Sequence, residues 1–141
     1  MVFFIPYPQI NERMTKEKFV GEYEMRASKK MLFPFISSAS GLSQWFADNV
    51  NVNNEDKGFI FIWDGEEKRA RVVSSRINHH VKFEFLDGSE SDPNYVEFVL
   101  DTNELTNTVF IRVTDYSDMD VEEAKDLWDS LIHDLKEIVG G

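Results

Sequence analysis

The spacing of apolar and polar positions divides most of the chain into short elements. Phe19, Tyr23 and Met25 fall on one face and Glu22, Glu24 and Arg26 on the other, the two-residue period of a half-buried strand. Ser28 can cap a short helix over residues 29–35, interrupted near Pro34, and Ser38 or Ser40 can open a second that reaches Phe46. Val50 and Val52, set among asparagines, predict a short strand that turns through Asp56, Lys57 and Gly58 into an apolar strand from Phe59 to Trp63. Asp64-Gly65 is a strong hairpin signal leading into a strand over residues 66–77. Asn78 and His79 turn more weakly into the alternation Val81, Phe83, Phe85.

Residues 87–94, with Gly88, Ser89, Ser91 and Pro93, read as a loop. Val96, Phe98 and Leu100 then alternate with polar neighbours, residues 102–107 turn, and Val109, Ile111 and Val113 form a last strand that ends near Asp115. From about Asp120 the period becomes helical. Val121, Ala124, Leu127, Trp128, Leu131, Leu135 and Ile138 line one face of a helix that Asp120 and Glu123 open as a capping box and Gly140-Gly141 closes. The order β-α-α-β6-α predicts an α+β fold in which one curved antiparallel sheet wraps around the long C-terminal helix.

Composition narrows what this domain does. With 141 residues, 42% hydrophobic and 29% charged, the chain suits a single core, and its 13% aromatic content must be housed in that core or around a pocket. The net charge of -11 repels nucleic acid and anionic head groups. Lys68, Arg69 and Arg71 form the only dense basic cluster, but Glu66 and Glu67 precede it, so it reads as a solvated strand. The absence of cysteine removes disulfides, a thiolate nucleophile and thiolate metal sites, and fits a reducing, cytoplasmic setting. The apolar run Val2, Phe3, Phe4, Ile5 breaks at Pro6 and Pro8, too soon for a signal peptide or a membrane span, so no stable membrane insertion is expected. Residues 1–17 read as a leader, and residues 18–141 as the folded domain.

Catalytic and metal chemistry find little support. His79 and His80 are adjacent, and neighbours in a strand point to opposite faces, a limit that only a turn relaxes. His133 stands alone on the last helix. No G-x-S-x-G or phosphate-cradling glycine pattern is present, and the carboxylate pairs Glu66-Glu67 and Glu122-Glu123 read as solvated charge. No catalytic residue, metal or cofactor is assigned. The positive signal is apolar: Leu42, Trp45, Phe46, Phe61, Trp63, Phe83, Phe85, Phe98, Trp128 and Leu131 can converge between sheet and helix. A fully packed core accounts for them, and so does a core that leaves a pocket.

Four stretches carry a family resemblance. Ser40-Gly41-Leu42-Ser43-Gln44-Trp45-Phe46-Ala47-Asp48, Phe61-Ile62-Trp63, Val81-Lys82-Phe83-Glu84-Phe85 and Trp128-Asp129-Ser130-Leu131 resemble, in that order, proteins of the START-like (SRPBCC) superfamily. The resemblance is to the branch of heat-shock protein 90 ATPase activator homologues, and it runs from about Lys18 onward. It implies a helix-grip fold, often with an apolar cavity between sheet and last helix, and members that act as carriers, cyclases or chaperone-binding modules. Two expectations follow. The first is a non-enzymatic domain that holds an apolar or amphipathic small molecule, lipid-like or polyketide-like, with Arg71, Arg76 or Tyr23 anchoring a polar end if the register turns one of them inward. The second is a protein-interaction or chaperone-regulating module.

Overall fold

The computed structural model describes residues 15–88 and 90–140, and within them the chain alternates as the pattern requires. Strand β1 (Glu17–Met25) leads to helices α1 (Lys29–Ser37) and α2 (Ala39–Leu42). Strands β2 (Asn49–Asn53), β3 (Gly58–Trp63), β4 (Glu66–Arg76), β5 (His80–Phe85), β6 (Tyr95–Asn103) and β7 (Thr108–Ser117) follow, and helix α3 (Val121–Val139) ends the described fold. The expected leader lies outside the described residues as far as residue 14, and its last residue, Glu17, opens β1.

All seven strands join one antiparallel sheet in the order β1-β7-β6-β5-β4-β3-β2. The first strand therefore pairs with the last. Helices α1 and α2 carry the chain from that edge to the opposite one, where β2 begins a meander of hairpins that returns to β1. The curved sheet and the C-terminal helix form the helix-grip fold.

Two helix boundaries differ from the pattern. Helix α1 continues through Pro34 to Ser37, and the Pro34 carbonyl accepts both the Ser38 N–H at 3.1 Å and the Ser38 hydroxyl at 2.7 Å. Ser38 then caps α2 by accepting from Gly41 N–H at 3.0 Å. That helix stops at Leu42, and residues 43–46 continue as tight turns. Turns rather than helix set the direction of Trp45 and Phe46, whose rings enter the core at 5% and 4% exposure.

Helix α3 is capped at both ends. Asp120 accepts from the N–H groups of Glu122 and Glu123 at 2.9 and 3.1 Å, and Gly140 takes the left-handed conformation at φ 91°. Nineteen residues span roughly 28 Å, enough to cross the sheet. Its buried stripe is Ala124, Trp128, Ile132 and Leu135. The helix is thus rotated from the expected face. Ile132 lies in the core, Leu131 is half-buried, and Val121, Leu127 and Ile138 are exposed.

Aromatic rings fill the middle of the grip. Phe61, Phe83 and Phe98 are fully buried, and Phe46 meets Phe61 edge-on at 5.2 Å while stacking on Trp128 at 5.7 Å. Among the described residues no helix is long and apolar enough to cross a membrane.

Candidate functional site

With the centre packed, open space lies at one end of the grip. A cleft of about 750 Å³ is bounded by the turn after α2, the end of β3, the start of β4, the ends of β5 and β7, the start of β6 and the middle of α3. Of the residues expected to line a cavity, Trp45, Phe46, Trp63, Phe85, Trp128 and Leu131 do so. Leu42, Phe61, Phe83 and Phe98 lie behind them at 0% exposure and form the packed core rather than a wall.

All three indoles are anchored, which fixes the ring planes of the wall. Trp45 Nε1–H donates to the Phe35 carbonyl at 2.8 Å, and Trp63 Nε1–H donates to the Phe46 carbonyl at 2.8 Å. Trp128 Nε1–H donates to Asp115 Oδ2 at 2.7 Å.

The expected cationic anchors are not in the cleft. Ala70 and Val72 face the core, so the pleat turns Arg71 to the outer face opposite Gly58 and Glu84. Uninterrupted alternation would bring Arg76 inward again. A bulge between Val72 and Ser74 shifts the register by one, so Ser75 pairs with the inward Val81 and Arg76 is exposed. Tyr23 packs against α3 outside the cleft, and its hydroxyl donates to Asp129 Oδ1 at 2.9 Å. Burial, and then that hydrogen bond, push its phenol above the usual tyrosine range.

The polar groups that do reach the cleft were not expected there. Lys68 shares the face of Ala70 and lines the cleft, rather than belonging to a wholly solvated strand. Its ammonium stands 3.1 Å from Asp87 and 3.8 Å from Glu66, and the hydrogen bond it donates to Asp87 is the main reason its pKa is raised. Asp48, Asp87, Asp115 and Asp134 also line the cleft, so among the described residues four carboxylates there stand against one ammonium. Asp115, at 7% exposure, is the one buried charged side chain among the described residues. The signal for it was in the sequence: Val109, Ile111 and Val113 share a face, and one more step of two reaches Asp115.

Outside the cleft, the turn before β5 brings the paired histidines together. His79 Nδ1 and His80 Nδ1 are 3.0 Å apart, and His80 Nε2 is 2.8 Å from Ser74 Oγ. Among the described residues no cluster of three or more histidine, aspartate or glutamate side chains can hold a metal ion. His133 is exposed and lies 3.8 Å from Glu137.

A family model described as START-like superfamily domain matches residues 13–141. The chain belongs to the START-like superfamily. Solved structures share the fold of this START-like domain at low sequence identity. The Aha1 dimer of Colwellia psychrerythraea is 17% identical with a TM-score of 0.71, covering 87% of this chain and 96% of that one. Protein MLL2253 of Mesorhizobium loti is 14% identical with a TM-score of 0.71, over 88% of this chain and 97% of that one. DynU16, a protein in the dynemicin biosynthetic locus, is 14% identical with a TM-score of 0.68 over 85% of this chain, which spans 46% of that one. No curated protein matches the sequence of the START-like domain.

Proposed function

We propose that this START-like domain binds an amphipathic small molecule in the cleft and performs no chemistry on it. The observation that carries the reading is a space of about 750 Å³ lined both by aromatic and aliphatic side chains and by polar ones. Ligand sites of roughly 300–1,000 Å³ with mostly apolar walls and a few polar groups are the usual size and make-up for such molecules. Each CH₂ group moved from water onto Trp63, Phe85 and Leu131 contributes about 0.8 kcal/mol. The shared fold with DynU16, of the dynemicin biosynthetic locus, is compatible with a small-molecule ligand.

Native mass spectrometry of freshly purified protein, joined to thermal unfolding with a panel of lipids and aromatic polyketides, tests the proposal. A bound compound at one hundred times its Kd stabilises by about 2.7 kcal/mol, which moves Tm by roughly 9 °C in a domain of this size. A protein that carries no small molecule and is shifted by none of the panel overturns it.

A second reading, a protein-interaction module, draws on the likeness to the Aha1 dimer and on Ile77 and Leu105, exposed by 78% and 96% at two hairpin turns. Affinity capture from native lysate that recovers no stoichiometric partner, with a monomer in solution, removes it.

A further inference from the structure

The polar chemistry of the cleft carries the proposed function one step further, to the charge of the ligand. We propose that the ligand is an amphipathic amine whose protonated nitrogen is received by Asp115, with its apolar body on Trp63, Phe85, Leu127 and Leu131. This rests on the reading of the cleft as a small-molecule site.

Three observations lead to it. First, Asp115 is 93% buried, since its exposure is 7%, and only its Oδ2 is engaged, by the Trp128 indole N–H at 2.7 Å. Oδ1 takes no hydrogen bond, yet no side-chain oxygen or nitrogen among the described residues is both sealed from solvent and unpartnered. Oδ1 is therefore open, and the side the residue presents is the cleft it lines. A carboxylate held by one donor in a largely apolar wall has an unfilled demand for a second, and an ammonium supplies up to three N–H groups together with the opposite charge.

Second, among the described residues the cleft offers no free cation to an anionic head group. Arg71 and Arg76 are turned outward, and the Lys68 ammonium is already engaged by Asp87 and Glu66. A carboxylate or phosphate ligand would have to displace Asp87 and approach three further carboxylates, Asp48, Asp115 and Asp134. Third, the net charge of -11 gives the surface a field that gathers cations, and a cleft with apolar walls concentrates it. The open apolar surface in the same cleft is provided by Trp63, Phe85 and Leu131, which are half-buried, and by Leu127, which is 40% exposed.

The experiment compares three amphiphiles of one chain length, dodecylammonium, dodecanol and dodecanoate, below their micelle concentrations. Binding is followed by tryptophan fluorescence at about 0.15 M salt, where charges are screened beyond about 8 Å. Dodecylammonium is expected to bind about tenfold more tightly than dodecanol, and dodecanoate more weakly than either. Asp115→Asn keeps an acceptor for the Trp128 N–H and removes the charge. It is expected to abolish the preference for the amine over dodecanol. In the unaltered protein, nuclear Overhauser contacts from the methylene beside the nitrogen to Val96 methyls and the Trp128 indole report the same placement without relying on the variant. Equal or weaker binding of the amine overturns the assignment of charge while leaving the cleft a ligand site. So does an amine preference that survives Asp115→Asn, or contacts confined to the outer surface. Failure of all three amphiphiles, with no ligand found in the panel or by native mass spectrometry, overturns the binding reading itself.

Discussion

The indole N–H of Trp128 donates to Asp115 Oδ2 at 2.7 Å, so a single hydrogen bond ties the C-terminal helix to the last strand of the sheet. Trp128 is 1% exposed, and its ring lies 5.7 Å from Phe46 and 5.6 Å from Phe98. Replacing it removes ring area and leaves a nearly buried carboxylate without its donor. Trp128→Phe is expected to lower the stability by about 2–4 kcal/mol, read from urea unfolding. Asp115→Asn retains an acceptor for the indole and is expected to cost about 1 kcal/mol or less. A loss below about 0.5 kcal/mol for Trp128→Phe shows that the bond does not hold helix to sheet.

Gly58 tests the close approach between β3 and β4. A Cβ placed there stands 2.0 Å from the Ala70 carbonyl oxygen and 2.8 Å from its carbon, and both atoms belong to the backbone of a paired strand. Neither can move without breaking the ladder between β3 and β4. Gly58→Ala is expected to cost more than about 2 kcal/mol. A Cβ at Gly88 meets nothing within 4 Å, and Gly88→Ala serves as the control, expected to change stability by no more than about 0.5 kcal/mol. Equal Tm values for the two variants contradict the packing of these strands.

Most of the architecture was legible because the chain keeps the two periods cleanly apart. Alternation such as Val81, Phe83, Phe85 marks inward residues strand by strand, and the helical spacing of Ala124, Trp128 and Leu135 marks the face that enters the grip. The candidate site was only half legible, since its location depends on departures from periodicity. The bulge after Val72 reverses the faces of the rest of β4 and sends Arg76 outward, and nothing in the local residues Val73, Ser74 and Ser75 announces it. On α3 the apolar stripe is wider than the buried one. Leu127 and Leu131 fall outside the core and line the cleft, an excess visible in the sequence although its purpose was not. Asp115 required only that the alternation of β7 be carried two residues further.

Tyr23 and Asp129 couple the first strand to α3 and give the fold a dependence on alkaline pH. The Tyr23 hydroxyl donates to Asp129 Oδ1 at 2.9 Å, and Lys125 Nζ donates to Asp129 Oδ2 at 2.7 Å. Burial and then the bond to Asp129 raise the tyrosine pKa, while the Lys125 hydrogen bond, and next that of Tyr23, lower the aspartate's. A raised pKa means the folded state holds the proton more tightly, so this contribution is complete below the unfolded value near 10 and is lost as pH climbs through the folded one. The depressed aspartate acts at the other end, its contribution fading as pH falls below about 4. Tm measured against pH is expected to decline above about pH 10, and more gently in Tyr23→Phe than in the unaltered protein. Tyr116, whose pKa is raised chiefly by its bond to Asp92, contributes to both curves, so the difference between them isolates Tyr23. Parallel curves contradict the coupling.

Leu127 allows the cleft to be filled without disturbing the core. It is 40% exposed and borders the cleft, so a larger ring at this position occupies the open space rather than forcing its way between packed side chains. Leu127→Trp is expected to leave Tm within about 2 °C, as for surface substitutions worth no more than about 0.5 kcal/mol, and to abolish the thermal shift produced by a ligand that stabilises the unaltered protein. Ile138, also 40% exposed on the same helix, does not line the cleft. Ile138→Trp adds the same ring and should keep the full shift. Retention of the shift in both variants places the ligand somewhere other than the cleft, whereas loss in both points to a general effect of added aromatic surface on α3.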